Sequence, residues 1–162
     1  MIRIVIAEDQ EMLLGTIGAL LDLEEDMEVV GKASNGEEAI ALVHQLQPDV
    51  CIMDVEMPEM SGLEAAEVLK SDGCKIMILT TFARTGYFQR VLNADVRGYL
   101  LKDSPSDELA FSIRSIMDDT RIYSPELVEG NDEEGCSEPI QKSASIRNYF
   151  STFIKKIKVS AG

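Results

Sequence analysis

Histidine occurs once in this chain, at position 44, and cysteine three times, at 51, 74 and 136. The cysteines have no paired spacing, which argues against a disulfide framework or a zinc site. Cys51 and Cys74 lie inside apolar runs, as buried free thiols do, and a reducing cytosol suits them. His44 falls in a helix-patterned stretch and reads as a surface residue, not a catalytic one. The opening apolar run, IRIVIA at 2–7, is too short for a signal peptide, and no later run approaches a membrane span. A cytoplasmic protein with no stable membrane insertion is expected. Acidic residues are missing after position 138, where five of the 15 Lys and Arg lie: Lys142, Arg147, Lys155, Lys156 and Lys158. Residues 1–130 carry 10 basic and 25 acidic side chains, a net of -15. That body repels nucleic acid, so any attraction to phosphates must come from the tail.

What is present is a repeating alternation. A length of 162 residues suits one domain and an appendage. The strand candidates are IRIVIA (2–7), MEVVGKA (27–33), PDVCIMD (48–54), KIMILTT (75–81) and VRGYLL (96–101). The first, third and fourth are nearly continuous in apolar residues, the pattern of strands buried on both faces. Helical spacing separates them: Met12, Leu13, Ile17, Leu20 and Leu21; Ala39, Ile40, Val43 and Leu46 after the natural cap Asn35; Leu63, Ala66, Val68 and Leu69 after Ser61. A weaker set is Tyr87, Val91 and Leu92, and a fifth is Leu109, Ile113, Ile116 and Met117 after SPSDEL. Strand–helix repeats with right-handed crossovers predict an α/β fold, a doubly wound five-stranded parallel sheet.

In such a sheet the functional crevice lies at the carboxyl ends of the strands. Strand one ends in Glu8-Asp9, strand three in Asp54, strand four in Thr80-Thr81, and Lys102 follows strand five. Carboxylates brought together there repel one another and call for a counter-ion. A hard divalent cation such as Mg²⁺ suits oxygen ligands and phosphate. Lysine adds a point charge for phosphate and threonine a hydroxyl. The set reads as a site for phosphoryl transfer onto a carboxylate, with Asp54 as the nucleophile because it ends the central buried strand.

Glu8-Asp9, DVEMPEMSG (54–62), LTT (79–81) and YLLKDS (99–104) resemble the motifs of a response-regulator receiver domain, over roughly residues 1–120. The resemblance implies a flavodoxin-like (CheY-like) fold. It implies Asp54 as phospho-acceptor, Mg²⁺ held by Glu8, Asp9, Asp54 and the backbone carbonyl of Glu56, Thr80 as switch hydroxyl, Tyr99 as switch aromatic and Lys102 as the phosphate-binding lysine. Pro58 and Gly62 would shape the loop after Asp54. The donor would be a histidine on a sensor kinase, so the chain is a signalling acceptor and not an enzyme with a turned-over substrate. IAEDQEMLLG, PDVCIMDVEMP, CKIMILTTFARTGYFQR and RGYLLKDSPSDELAFSIRS are similar to the NarL/FixJ (LuxR-type) branch, and within it to regulators of a fatty-acid desaturase under a membrane thermosensor kinase.

Two stretches stay open. Met12, Leu13, Leu14, Ile17, Leu20, Leu21 and Leu23 wrap more of helix one than a single buried stripe needs. They form either a broad core face or, with helix five, the surface of a homodimer that phosphorylation favours. Residues 121–141 read as linker, with acidic, aperiodic NDEEGCSEP inside it. In 142–162, Ile146, Tyr149, Phe150, Phe153, Ile154 and Ile157 make one amphipathic face of a short C-terminal helix. SASIRNYFSTFIKKIKV resembles the recognition helix of a LuxR-type helix-turn-helix, in which Ser145, Arg147, Asn148, Lys155 and Lys156 would face promoter DNA. The two scaffold helices of that module have no counterpart in the sequence between. An isolated helix of about 15 residues is marginal in water. The tail therefore needs a partner: the receiver, a second copy, another protein, an anionic membrane surface or DNA bound without sequence preference. Three outputs follow: transcriptional regulation by ancestry, a stand-alone receiver that acts as phosphate sink or partner-binding module, or the relic of an internal deletion.

Overall fold

The computed structural model describes residues 1–129 except 83 and 105. The chain alternates as β1 (Ile2–Ala7), α1 (Glu11–Asp22), β2 (Met27–Ala33), α2 (Gly36–Leu46), β3 (Val50–Asp54), α3 (Gly62–Leu69), β4 (Lys75–Thr80), α4 (Tyr87–Asn93), β5 (Gly98–Leu101), α5 (Ser106–Met117), β6 (Ile122–Tyr123) and α6 (Pro125–Glu129). One sheet runs in the order β2-β1-β3-β4-β5-β6, and every pairing is parallel. The strand order reverses between β1 and β3, so the topological switch point lies at their carboxyl ends.

The expected five-stranded sheet is six-stranded. Ile122 and Tyr123 pair with Gly98 and Tyr99, and a helix of five residues follows at Pro125. These nine residues, 121–129, were expected to open a linker. Two apolar residues after an arginine carry no period, which is why the strand is silent in the sequence. The candidate DNA contacts Ser145, Arg147, Asn148, Lys155 and Lys156, and the short C-terminal helix, lie outside the described residues.

Burial on both faces follows from the alternation of side chains along each strand. Val5, Ala7, Cys51, Met53, Ile76, Ile78, Tyr99 and Tyr123 point into one apolar cluster, closed by α2, α3, α4 and α6. Ile4, Ile6, Val50, Ile52, Met77, Leu79, Leu100 and Ile122 point into the other, closed by α1 and α5. β3 is buried at all five positions. Asn35 and Ser61 cap as their chemistry predicts, accepting from the backbone N–H of Glu38 at 2.8 Å and of Glu64 at 3.1 Å. α5 begins at Ser106, inside the SPSDEL stretch. Cys51 and Cys74 are free, with the Cys74 thiol pushed up to about 12 by burial. His44 is exposed and lies 2.9 Å from Asp72, which stands between α3 and the start of β4.

The apolar surplus of α1 divides. Ile17 and Leu21 are buried and Leu13 and Leu14 pack at the core margin, whereas Met12 and Leu23 are 86% and 79% exposed, with Leu20 beside them. A broad core face alone does not account for this helix. Arg114 of α5 ties that side together: its guanidinium donates to both carboxylate oxygens of Asp26 at 2.8 Å and to Glu24 at 2.7 Å.

Glu108, in the first turn of α5, is buried. Burial, then the charges of Glu126 and Asp103, push its carboxyl up to about 7. A raised carboxyl pKa means the folded state binds the proton more tightly than the unfolded chain. The cost of ionising Glu108 is absent below its ordinary value of 4.5, grows as pH rises towards 7, and is complete above it. Glu108→Gln is expected to raise the melting temperature by roughly 2–6 °C at pH 8 and to change it little at pH 4.5, as followed by circular dichroism.

Candidate functional site

Each polar side chain at the strand ends owes its place to the strand before it. β1 delivers Glu8 and Asp9, β3 delivers Asp54, β4 ends at Thr80, and Lys102 follows β5. Ala7 pairs with Met53, Asp54 with Leu79 and Thr80 with Leu101, so the four strands end level. Gly62 is required by closeness: a Cβ there would sit 2.1 Å from the carbonyl oxygen of Asp54. Its N–H donates to the Val55 carbonyl at 3.0 Å and folds α3 back under the site. Pro58 stands in that return loop, its carbonyl accepting from Met60 N–H at 2.7 Å.

Carboxylate oxygens of Glu8, Asp9 and Asp54 lie within 4.8 Å of one another. Glu8 and Asp54 are buried and Asp9 is open to solvent. The Lys102 ammonium reaches between the two buried ones, 2.8 Å from Glu8 Oε2 and 2.9 Å from Asp54 Oδ2. Asp54 Oδ1 also accepts from the Glu56 N–H at 3.3 Å, and Glu8 Oε1 from the Gln10 N–H at 3.2 Å. Burial pushes the Glu8 carboxyl up; the hydrogen bond from Lys102 opposes this, and the charge of Asp54 adds to it. Burial alone would lower the Lys102 ammonium, but its bonds to Glu8 and Asp54 outweigh that and hold it above an ordinary lysine.

The donor set is three carboxylates, all oxygen, two of them bridged by the Lys102 ammonium and the third facing water. That chemistry fits a hard divalent ion that keeps part of its hydration. Thr80 is buried, and its hydroxyl donates to the Phe82 carbonyl at 3.1 Å. Tyr99 is fully buried, and its hydroxyl has no hydrogen-bond partner among the described residues. Leaving such a group unpaired costs about 1–3 kcal/mol.

The structure thus brings Glu8, Asp9, Asp54, Thr80 and Lys102 to one edge. Glu56 follows two residues after Asp54. One feature had no signal in the sequence: the Glu56 carboxylate is held by Arg84 Nε at 2.8 Å and by the Tyr87 hydroxyl at 3.4 Å, across the mouth of the site. An exposed pair from two loops leaves no periodicity to read.

The family model described as the response regulator receiver domain matches residues 4–114. The transcriptional regulatory protein DesR of Bacillus subtilis is 54% identical, over 98% of this chain and 92% of its own length. A DNA-binding response regulator of the LuxR family from Staphylococcus aureus superposes with a TM-score of 0.68 at 36% identity, over 72% of this chain and 98% of the solved one. The signal receiver domain of the response regulator NarL from Mycobacterium tuberculosis gives 0.69 at 25% identity, over 72% and 96%. Among the described residues no helix is long and apolar enough to cross a membrane. With the sheet, the carboxylate cluster and these relatives in agreement, the chain belongs to the response-regulator family, in its NarL/LuxR-type branch, and carries the receiver domain of a transcriptional regulator.

Proposed function

We propose that Asp54 accepts a phosphoryl group from a phosphohistidine on a sensor kinase. The observation that carries this is the Lys102 ammonium bridging Glu8 and Asp54 while Asp9 stays open. An Asp54 oxygen attacks phosphorus, the phosphorus–nitrogen bond breaks, and the electron pair leaves on the imidazole, yielding an acyl phosphate. Lys102 is placed to follow the new phosphoryl oxygens, and the Thr80 hydroxyl can exchange the Phe82 carbonyl for one of them. Glu8, Asp9, Asp54 and the Glu56 carbonyl would hold Mg²⁺, which when bound neutralises charge on the phosphoryl group. Water later hydrolyses the acyl phosphate.

The output favoured by the relatives is transcriptional regulation, with promoter DNA as the target of the phosphorylated form. The alignment with DesR has 182 positions against a chain of 162, so at least 20 have no residue here. That supports the reading of residues 142–162 as the remnant of a helix-turn-helix, with 1–120 as receiver and the linker from 121 begun by a docked segment. Ser145, Arg147, Asn148, Lys155 and Lys156 are its candidate DNA contacts. The cytoplasm suits this work.

The exposed Met12 and Leu20 of α1 and Leu23 just after it, beside α5, are the surface proposed for a homodimer.

Asp54→Asn is expected to abolish incorporation of phosphate from acetyl phosphate, read by Phos-tag electrophoresis; incorporation at the wild-type level would move the site elsewhere. Lys102→Met removes the counter-charge from two buried carboxylates. It should lower stability by about 1–4 kcal/mol in chelator, with Mg²⁺ restoring part of the loss in thermal melts. In sedimentation, beryllofluoride with Mg²⁺ should drive the chain towards a dimer, and Leu23→Glu should keep it monomeric. A wild-type chain that stays monomeric in both states removes the dimer.

A further inference from the structure

The residues after α5 pack on Tyr99, a buried side chain whose hydroxyl has no hydrogen-bond partner among the described residues. Tyr99 pairs with Tyr123 across β5 and β6, and its carbonyl accepts from the Ser124 N–H at 2.7 Å. The Tyr123 hydroxyl donates to the Val96 carbonyl at 3.0 Å, and its ring stands edge-on to Phe88 of α4 with centroids 5.6 Å apart. Leu127 and Val128 of α6 are buried in the same apolar cluster as the Tyr99 ring. Arg121 pairs with Asp95 at the start of the segment. Inside α6, the Ser124 carbonyl accepts from the N–H of Leu127 and Val128, and the Ser124 hydroxyl donates to Glu126.

We infer that β6 and α6 are a strap over the Tyr99 ring, and that Leu127 and Tyr123 are positioning residues for the Asp54 switch, acting through Tyr99. This rests on the reading of Asp54 above. Opposing costs act on the ring. Buried, it gains apolar contact but leaves its hydroxyl unpaired; turned out, it wets the hydroxyl but leaves a void under Leu127 and Val128. A docked strap and a buried ring therefore require each other. Thr80 stands two residues beyond Ile78, the β4 partner of Tyr99, and so on the same face of the sheet; a group at Asp54 that draws its hydroxyl off the Phe82 carbonyl would open room on the β4 side and favour the buried ring. Coupling of this kind is reciprocal: a ligand that tightens the strap is bound more weakly when the strap is loosened, by the same factor. The strap ends at Glu129, so its docking sets where the rest of the chain begins.

The test uses the full chain and beryllofluoride with Mg²⁺ as the probe. Amide hydrogen exchange over residues 122–128 reads the strap, carbon-13 tyrosine NMR reads the Tyr99 ring, and calorimetry reads the probe's affinity. Leu127→Ala should speed strap exchange at least threefold, shift the Tyr99 ring signal and weaken the probe three- to tenfold, and Leu127→Met should restore all three. Tyr123→Phe, which removes the hydroxyl's bond to the Val96 carbonyl and the one it accepts from Arg121, should move each readout the same way by a smaller factor. Tyr99→Phe, freed of the unpaired hydroxyl, should slow strap exchange at least threefold. Faster strap exchange in Leu127→Ala with unchanged probe affinity overturns the coupling. Unchanged strap exchange in both Leu127→Ala and Tyr99→Phe overturns the strap itself. If the wild type does not bind the probe, the reading of Asp54 falls, and the strap is decided by exchange in those two variants alone.

Discussion

Two carboxylates buried at the end of a parallel sheet are an electrostatic liability, and Lys102 is the answer the fold supplies. Its ammonium stands less than 3 Å from both Glu8 and Asp54. Much of the surrounding architecture serves that contact. β1 and β3 must be neighbours to bring the acids together, and β5 must end level with them to bring the base. The loop after β3 must turn tightly enough for Gly62 to touch the Asp54 backbone. The triangle is also incomplete by design: Asp9 lies outside the bridge and faces water. A site whose charges were fully paired would have nothing left to attract a cation. This one keeps a surplus of negative charge at its open side, which is what the proposed binding of Mg²⁺ requires.

The two faces of the sheet divide the labour. α1 and α5 share one apolar cluster and are stapled through Arg114 to the turn before β2. That side presents its spare hydrophobic residues outward. The other side holds Tyr99 and the segment that follows α5. The phosphoryl transfer proposed at Asp54 would thus have two mechanical outlets, the surface proposed for a second copy on one face and the inferred strap on the other.

Most of this was legible in the sequence, for stateable reasons. β3 reads VCIMD because it is buried at every position, so its run of apolar residues ends abruptly at the one acid. Glu8-Asp9 and Lys102 stand out in the same way. Asn35 and Ser61 announce helix starts because their side chains compete for the backbone N–H groups there. What stayed hidden lacks a period. Ile122-Tyr123 is too short to alternate, and Pro125–Glu129 is barely more than one turn. The Glu56–Arg84 contact joins two exposed loops. On α1, seven apolar residues show a surplus, but only packing tells Leu21, in the core, from Leu23, in solvent.

The brevity of β6 also matters for colloidal behaviour. Without it, Gly98–Leu101 would be the rim of the sheet, an apolar strand with unpaired amides, which is a template for adding strands from other molecules. Two residues cover Gly98 and Tyr99, the first half of that rim, and they leave almost no new one. A receiver ended at residue 120, the natural place to divide the sequence by eye, would trade a soluble edge for a sticky one.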